Sequence, residues 1–145
     1  MRARAQSKLL LLFAVMGLTA CELVGRDPAT TSAAVNSPGA TWETVVAGHD
    51  HTVALKTDNT LWTWCYNGYG QLGDGTTVDR HSPAQIGTNF VAVAAGSYHT
   101  VALKKDGTLW AWGQNVHGQV GDTTTTDRHS PVLVGNGFTA PSLPT

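Results

Sequence analysis

Two successive segments of this chain repeat each other at a fixed spacing of 48 residues and without a gap, so that His51 aligns with His99. Roughly 27 of the 48 positions in residues 42–89 are identical in residues 90–137, far more than chance gives for a single period. Repeats of this size form solenoids, propellers or arrays. The fold must therefore be built from two copies of one supersecondary unit.

The pattern inside each unit predicts four short β-strands. In the first unit, the β-prone runs are residues 42–46, 52–56, 61–64 and 84–86, and the second unit has the same runs 48 residues later. Between the second and third runs, Asp58-Asn59 and Asp106-Gly107 predict tight hairpin turns, because Asn and Gly tolerate positive φ. Four short strands per unit match the content of a propeller blade. The sequence therefore predicts an all-β fold of antiparallel β-propeller blades.

The amino-acid pattern shared by the two units indicates the type of propeller. Both units follow the pattern A-G-x-x-H-T-V-A-L-K-x-D-G-T-L-W-A-W-G-x-N-x-x-G-Q-[LV]-G-D, with a few departures. This pattern resembles the regulator-of-chromosome-condensation repeat, also found in tubulin-suppressor-like and bacterial secreted proteins. The resemblance covers residues 42–137. It implies a propeller, commonly seven-bladed, that presents loops for contact with other proteins. The WD type is disfavoured, since no Trp-Asp dipeptide closes a strand.

Two units are too few to close a ring of that size, and open blades leave unpaired strand edges. A third unit begins at Phe138 but stops within residues 138–145, where Pro141 fits a central strand poorly. Three interpretations stay open. The chain is the front part of a longer, incomplete propeller, or it self-assembles through open blade edges, or it is an isolated two-blade wedge.

The N-terminus resembles a bacterial lipoprotein signal. Residues 1–20 carry three basic side chains followed by an apolar stretch that is too short to span a bilayer. The segment ends in Leu-Thr-Ala-Cys, which resembles a lipobox and implies cleavage before a lipidated Cys21. Residues 21–41 are small, polar and interrupted by proline, which is typical of a flexible tether. We therefore expect a chain anchored to the bacterial cell envelope through lipid, on its extracytoplasmic side.

Charge argues against a nucleic-acid partner. Loss of the three basic residues in the signal leaves a mature net charge of about −4, with no basic stripe that could neutralise phosphates.

Histidine is the first candidate for chemistry. His49 and His51 are spaced so that both could face one metal ion from a strand. The second unit has Ser97 in place of His49 while the rest of the scaffold stays intact. This loss favours a structural role for His51 and His99, and the sequence predicts no metal site.

Acidic and hydroxyl side chains give no catalytic constellation either. Asp74 and Asp122 would suit glycoside hydrolysis or calcium, but their loops lack the acidic spacing of a calcium loop. Ser82 and Ser130 precede proline without the glycines of a nucleophile elbow. No catalytic residue and no cofactor-binding residue is predicted.

Cys65 stands where the second unit has Gly113, a position at which glycine permits an unusual backbone angle. Because the only other cysteine is the expected lipid carrier Cys21, we expect no intrachain disulfide and a free thiol at Cys65. Three tyrosines, Tyr66, Tyr69 and Tyr98, are candidates for protein contact, and blade packing is the equally plausible alternative for them.

The sequence taken together favours a non-enzymatic, lipid-anchored propeller-repeat protein that binds another protein or a cell-surface component. A secreted hydrolase or lyase on a propeller scaffold is the alternative from another functional class. A non-functional truncated piece of a longer repeat protein is the third possibility. The founding activity of the resembled family, nucleotide exchange on a nuclear GTPase, does not fit an exported chain.

Overall fold

The computed structural model describes residues 39–140 and contains eight strands and no helix in that range. The strands are β1 Trp42–Ala47, β2 His51–Lys56, β3 Leu61–Cys65, β4 Arg80–Gly87, β5 Phe90–Ala95, β6 His99–Lys104, β7 Leu109–Gly113 and β8 Arg128–Gly135. They form two four-stranded antiparallel sheets in the order β1-β2-β3-β4 and β5-β6-β7-β8. We call these sheets blade 1 and blade 2. The predicted all-β fold of four-stranded blades is confirmed.

Tight turns fix the register of the central hairpins. Residue Asn59 has a φ of 63° in blade 1, and Gly107 has a φ of 81° at the same place in blade 2. Both angles lie in the left-handed region that Asn and Gly adopt most readily. The pairing of β2 with β3 then runs from Leu55–Leu61 to His51–Cys65 without a shift. The predicted turns are thus confirmed.

The fourth strand of each blade is longer than the sequence indicated. Strand β4 begins at Arg80 rather than at residue 84. Residues 80–83, which the sequence placed at the end of a loop, therefore belong to the strand that pairs with β3. Pro83 lies inside this strand. Proline is tolerated there because β4 is an edge strand, which does not need every backbone N–H for pairing.

The hydrophobic core lies between the two blades. In β3, Leu61 and Thr63 are fully buried while Trp62 and Trp64 are half-buried, as expected for side chains that alternate between the faces of a strand. The buried side chains that form the core cluster are Val53, Leu55, Leu61, Phe90, Ala102 and Trp112. Full burial of one such side chain contributes about 1.5–3 kcal/mol. Blade 1 therefore packs its Leu61 face against the Trp112 face of blade 2.

The link between the blades is repeated after blade 2. Phe90 donates its backbone N–H to the carbonyl of Asn59 at 3.1 Å, and Phe138 donates to the carbonyl of Gly107 at the same distance. Phe138 therefore lies against blade 2 as Phe90 lies against blade 1.

Several predictions fall on residues outside the described range. These are the signal at residues 1–20, the lipidated Cys21 with most of the tether, and the two prolines of residues 141–145. Within residues 39–140, no helix is long and apolar enough to cross a membrane.

Candidate functional site

Each long loop between the third and fourth strands is organised around one buried asparagine. In blade 1, the side-chain amide of Asn67 donates to the carboxylate of Asp74 at 3.1 Å and to the carbonyl oxygens of Thr76 and Val78 at 3.0 and 3.1 Å. Its side-chain oxygen accepts the backbone N–H of Leu72 at 3.0 Å. Asn115 makes the corresponding bonds in blade 2. The loops are therefore rigid platforms rather than loose connections.

The aspartates considered as catalytic candidates hold these loops together. Asp74 accepts bonds from Thr76 and pairs with Arg80 at 2.7 Å. Burial acts to raise the pKa of Asp74, but the bonds from the Thr76 hydroxyl and Arg80 outweigh it and lower the pKa. In blade 2, the Thr124 hydroxyl and Arg128 lower the pKa of Asp122 to about 2. Each carboxylate is thus ionised and engaged within its own loop.

The loop of blade 1 reaches across to blade 2 through one carbonyl oxygen. The carbonyl of Gln71 accepts the Thr100 hydroxyl and the Trp112 indole N–H, both at 2.9 Å. Nε2 of His51 lies 3.0 Å from the same Thr100 hydroxyl. Because that hydroxyl gives its proton to Gln71, His51 must donate from Nε2, which leaves Nδ1 as a buried acceptor with no hydrogen-bond partner. We call this set of contacts the blade joint.

The predicted structural role of His51 agrees with its place in the joint. The side chain is 2% exposed, and its ring lies against Gly48, where an added Cβ would come within 2.2 Å of Cε1. His49, by contrast, is exposed and pairs with Asp50 at 2.7 Å. No group of three or more His, Cys, Asp or Glu side chains is placed to hold a metal ion within residues 39–140.

Acid is expected to destabilise the joint through His51. Burial, followed by the nearby His99, lowers the pKa of His51 from 6.5 to about 4. Between pH 6.5 and pH 4, His51 binds a proton in the unfolded chain but not in the folded chain. The contribution of neutral His51 to the stability of the folded chain is therefore complete above pH 6.5 and is lost as the pH falls towards 4. At about 1.4 kcal/mol per pH unit, the loss is about 3 kcal/mol.

Urea unfolding at pH 7 and pH 5 measures this effect, with His51→Gln as the control because the amide keeps a donor for Thr100. We expect a smaller loss between the two pH values in the variant. An equal loss in both chains would show that His51 is not responsible.

The three tyrosines proposed as protein contacts come together at one end of the blades. The ring centroids of Tyr66 and Tyr69 are 6.2 Å apart, those of Tyr66 and Tyr98 are 6.3 Å apart, and those of Tyr69 and Tyr98 are 5.1 Å apart. The rings meet edge-on or tilted, which is the favourable arrangement for aromatic pairs. Tyr66 and Tyr69 lie in the long loop of blade 1, and Tyr98 lies in the first loop of blade 2. We call these three residues the tyrosine surface.

An acidic residue and a histidine border the tyrosine surface. The His49 ring centroid lies 5.5 Å from that of Tyr98, and the Tyr98 hydroxyl is 3.4 Å from His49 Nδ1. Partial burial, followed by the carboxylate of Asp50, raises the pKa of Tyr98. The phenol is therefore a neutral group that can donate a hydrogen bond to a partner.

Tyr66 stands where blade 2 has a glutamine that makes a hydrogen bond within its own loop. Its counterpart in blade 2 is Gln114, whose side-chain oxygen accepts a bond from Gln119 Nε2 at 3.4 Å. In blade 1, the corresponding Nε2 of Gln71 is buried without a hydrogen-bond partner. An unsatisfied buried donor costs about 1–3 kcal/mol. Tyr66 itself is 38% exposed, so part of its ring is open to a partner.

Cys65 corrects one prediction and bears out another. Its φ is 88°, and that of its counterpart Gly113 is 104°, so this position does require the unusual backbone angle. The predicted free thiol is wrong, because Cys65 is disulfide-bonded. A free thiol was expected on the premise that lipid occupies the sulfur of Cys21, a residue that lies outside the described range.

Family models match both repeats. The regulator of chromosome condensation (RCC1) repeat is found at residues 42–71 and 90–119 by one model. A second model of the same description matches residues 58–103 and 106–141, which is more than half of the chain. The chain belongs to the RCC1 repeat family.

Curated relatives of this RCC1-repeat chain include the ultraviolet-B receptor UVR8 of Arabidopsis thaliana. It is 40% identical over 42 residues, which is 29% of this chain and 10% of the receptor.

Solved RCC1-type structures share the fold. Human WBSCR16 matches with a TM-score of 0.63 and 23% identity over 71% of this chain and 27% of its own. Prp20p from Saccharomyces cerevisiae matches with a TM-score of 0.63 and 21% identity over 70% of this chain and 27% of its own. This RCC1-repeat chain thus spans about a quarter of the length of these structures.

Two elements of the site escaped the sequence reasoning. The first is Asn67 with its counterpart Asn115, which carry the loops of both RCC1 repeats. Their signal was present, since an asparagine precedes Gly-Gln-[Leu/Val]-Gly at the same distance in both units. The second is the Gln71 carbonyl, a backbone group to which no side-chain pattern points.

Proposed function

We propose that this chain is a non-enzymatic protein-binding module and that its tyrosine surface contacts the partner. The observation that carries the proposal is the convergence of Tyr66, Tyr69 and Tyr98, which come from two different blades, at one partly exposed surface. Tyrosine is enriched among the residues that dominate binding energy in protein interfaces, because it buries a large rigid area and keeps a polar group.

The repeats supply an internal argument for binding. Each tyrosine departs from its counterpart, since Gln114, His117 and Asp50 occupy the same positions in the other blade. Blade geometry alone therefore does not require a tyrosine at any of these positions. At residue 66 the tyrosine also leaves Gln71 Nε2 without a partner. We infer that a tyrosine which leaves a buried donor without a partner and is itself 38% exposed is kept for binding.

The RCC1-type neighbours support protein binding as the class of function. One solved structure of Prp20p concerns its binding to Gsp1p and histones, and another shows yeast RCC1 bound to Kap60. This chain covers only about a quarter of the proteins that bind these partners. We therefore propose protein binding as the class of function and assign no individual partner. The two loop aspartates are held within their own loops, which gives no reason to prefer a hydrolase or lyase.

We further propose that the chain acts outside the cytoplasm, in the bacterial cell envelope, anchored through lipid on Cys21. The signal-like residues 1–20 support export, and the Leu-Thr-Ala-Cys sequence that ends at Cys21 supports the anchor. A thioether on Cys21 is incompatible with a disulfide at the same sulfur. Palmitate labelling that Cys21→Ala abolishes is the expected result. An unlabelled mature chain whose mass is two hydrogen atoms below that of the reduced chain would overturn the anchor.

The binding proposal is tested by exchanging each tyrosine for a residue that the repeat accepts. The variant Tyr66→Gln, Tyr69→His, Tyr98→Asn places the blade counterparts at the first two positions and a neutral analogue of Asp50 at the third. We expect the immobilised variant to capture at least tenfold less of any envelope protein that the wild-type chain retains, because the aromatic contact area is gone.

Leu133→Gln is the matched control. Leu133 is 52% exposed and lies in strand β8. The substitution gives it the residue type of its counterpart in blade 1, Gln85. The control should capture as the wild-type chain does. Equal capture by the tyrosine variant would contradict the assignment of the surface, and turnover of an envelope substrate by the purified chain would contradict the non-enzymatic role.

A further inference from the structure

The tyrosine surface is built directly on the blade joint. Tyr66 and Tyr69 belong to the loop of blade 1 and Tyr98 belongs to blade 2, so their rings meet across the boundary between the blades. Gln71 contacts both structures. Its carbonyl oxygen accepts the joint donors of blade 2, and its side-chain Oε1 accepts the backbone N–H of Tyr69 at 2.9 Å. The position of Tyr69 therefore depends on the same residue that closes the joint.

The other two tyrosines extend from chain segments that enter the joint. The backbone N–H of Tyr66 donates to the carbonyl of Asp50 at 2.9 Å, and Asp50 directly precedes His51. Tyr98 lies two residues before Thr100, whose hydroxyl belongs to the joint. The backbone that carries these two tyrosines is therefore continuous with the joint.

His51 is the ionisable side chain of the blade joint. Its Nε2 donates to the Thr100 hydroxyl, so a second proton must go to Nδ1. Within residues 39–140, Nδ1 is buried with no hydrogen-bond partner. A protonated ring in the closed joint would thus be a buried charge with an unsatisfied donor, which strongly disfavours the closed state.

The ionisable neighbours of His51 do not remove this penalty. Burial is the main cause that lowers the pKa of His51 to about 4, and His99 of strand β6 adds to it, while Asp50 in the turn before β2 acts in the opposite direction. In strand β3, His51 is paired with Cys65, which is disulfide-bonded and does not titrate. Strand β5 has no ionisable side chain, and Glu43 of β1 lies near the other end of β2.

We propose that the blade joint is an acid-sensitive switch for the tyrosine surface. Uptake of a proton at Nδ1 of His51 opens the joint, withdraws the loop of blade 1 from blade 2 and separates Tyr66 and Tyr69 from Tyr98. A partner that contacts all three rings is then bound at neutral pH and released in acid, because binding and protonation favour different states of the joint. This switch rests on the proposed binding function, whereas the opening of the joint can be measured without a partner.

Hydrogen exchange of the Trp112 indole N–H in the full chain measures the opening. The indole is fully buried and donates to the Gln71 carbonyl, so its proton exchanges when the joint opens. With the pKa of His51 at about 4 in the closed joint and at 6.5 in the open one, opening becomes about twentyfold more favourable between pH 7 and pH 5. We expect the protection of the indole N–H, corrected for its intrinsic exchange rate, to fall by that factor. Protection that does not change with pH would overturn the switch.

Backbone amides paired between β6 and β7 separate opening of the joint from unfolding of the blades. These amides stay hydrogen-bonded when only the joint opens. At pH 5 they should therefore be at least about tenfold more protected than the Trp112 indole. Equal protection would show that the joint opens only when blade 2 unfolds, and it would overturn the switch.

Matched substitutions in the two blades assign the proton to His51. His51→Gln keeps a donor for Thr100 and does not titrate, so the change in indole protection between pH 7 and pH 5 should shrink to less than about threefold. His99→Gln makes the same substitution at the counterpart position and should keep most of the change. An unchanged pH dependence in the His51 variant would overturn the assignment, and so would its loss in the His99 variant alone.

Tyr98→Asn tests the coupling between the joint and the tyrosine surface. It removes the ring contacts that Tyr98 makes with both tyrosines of blade 1. Because these contacts cross the joint, indole protection at pH 7 should fall by about threefold or more. Unchanged protection would show that the surface and the joint are independent, which would overturn the switch.

Binding at two pH values completes the test. An envelope protein captured at pH 7 should elute from the wild-type chain at pH 5 and stay bound to His51→Gln. Retention on the wild-type chain at pH 5 would overturn the switch but not the binding function. Absence of any capture at pH 7 would contradict the binding function, while the exchange measurements decide separately whether the joint opens in acid.

Discussion

Replacing Gly73 with alanine is expected to lower the free energy of unfolding by about 3 kcal/mol, whereas the same change at Gly121 costs only about 1 kcal/mol. The two glycines are counterparts and have almost the same backbone angle, with φ of 78° and 80°. The left-handed conformation disfavours alanine to the same extent at both. Any difference between the two variants therefore reports on what surrounds each residue.

The surroundings differ because Gly73 lies against the blade joint, whereas no atom of residues 39–140 lies within 4 Å of a Cβ added at Gly121. A Cβ added at Gly73 would come within 2.5 Å of Nε1 of Trp112, whose side chain is fully buried. Urea unfolding of both variants at pH 7 measures the difference. Equal losses would mean that the loop does not pack on Trp112 in solution.

Replacing Asn67 with alanine is expected to destabilise the chain by about 3 kcal/mol, because one buried and several partly buried hydrogen bonds are lost at once. The Leu72 N–H loses its acceptor, and the carbonyl oxygens of Thr76 and Val78 lose a donor. The loop then no longer holds the Gln71 carbonyl against blade 2. We therefore expect a loss of cooperativity in the unfolding curve as well as a lower midpoint.

The control for Asn67 is Asn136→Ala, an exposed asparagine after the last strand, which should change stability by less than about 0.5 kcal/mol. A variant at Asn67 that unfolds like this control would show that other contacts hold the loop.

The repeat made the blades predictable because it fixed the strand number, the turns and the alternation of faces. Leu61 and Thr63 are buried between half-buried tryptophans because side chains on a strand alternate, and this needs no knowledge of the neighbouring blade. Asn59 and Gly107 take positive φ for equally local reasons. The start of β4 was missed, since Arg80 and His81 lack an apolar pattern and an edge strand does not require one.

The site was predictable only in part. The sequence named Tyr66, Tyr69 and Tyr98 but could not show that they meet, because their contact depends on the rotation between the blades. The Gln71 carbonyl carries no sequence signal at all. The unsatisfied Gln71 Nε2 becomes meaningful only beside Gln114, which shows what the same position does in the other blade. The disulfide of Cys65 was missed for a chemical reason, since the other cysteine of the sequence was assigned to lipid.

The proposed function requires that Tyr66 is kept for binding although it lowers stability, and the stability of Tyr66→Gln tests this requirement. The glutamine gives Gln71 Nε2 the acceptor that Gln114 gives Gln119, so the free energy of unfolding in urea should rise by about 1 kcal/mol. A variant less stable than the wild-type chain would show that Tyr66 serves blade packing, and it would remove the main reason for assigning binding to this surface.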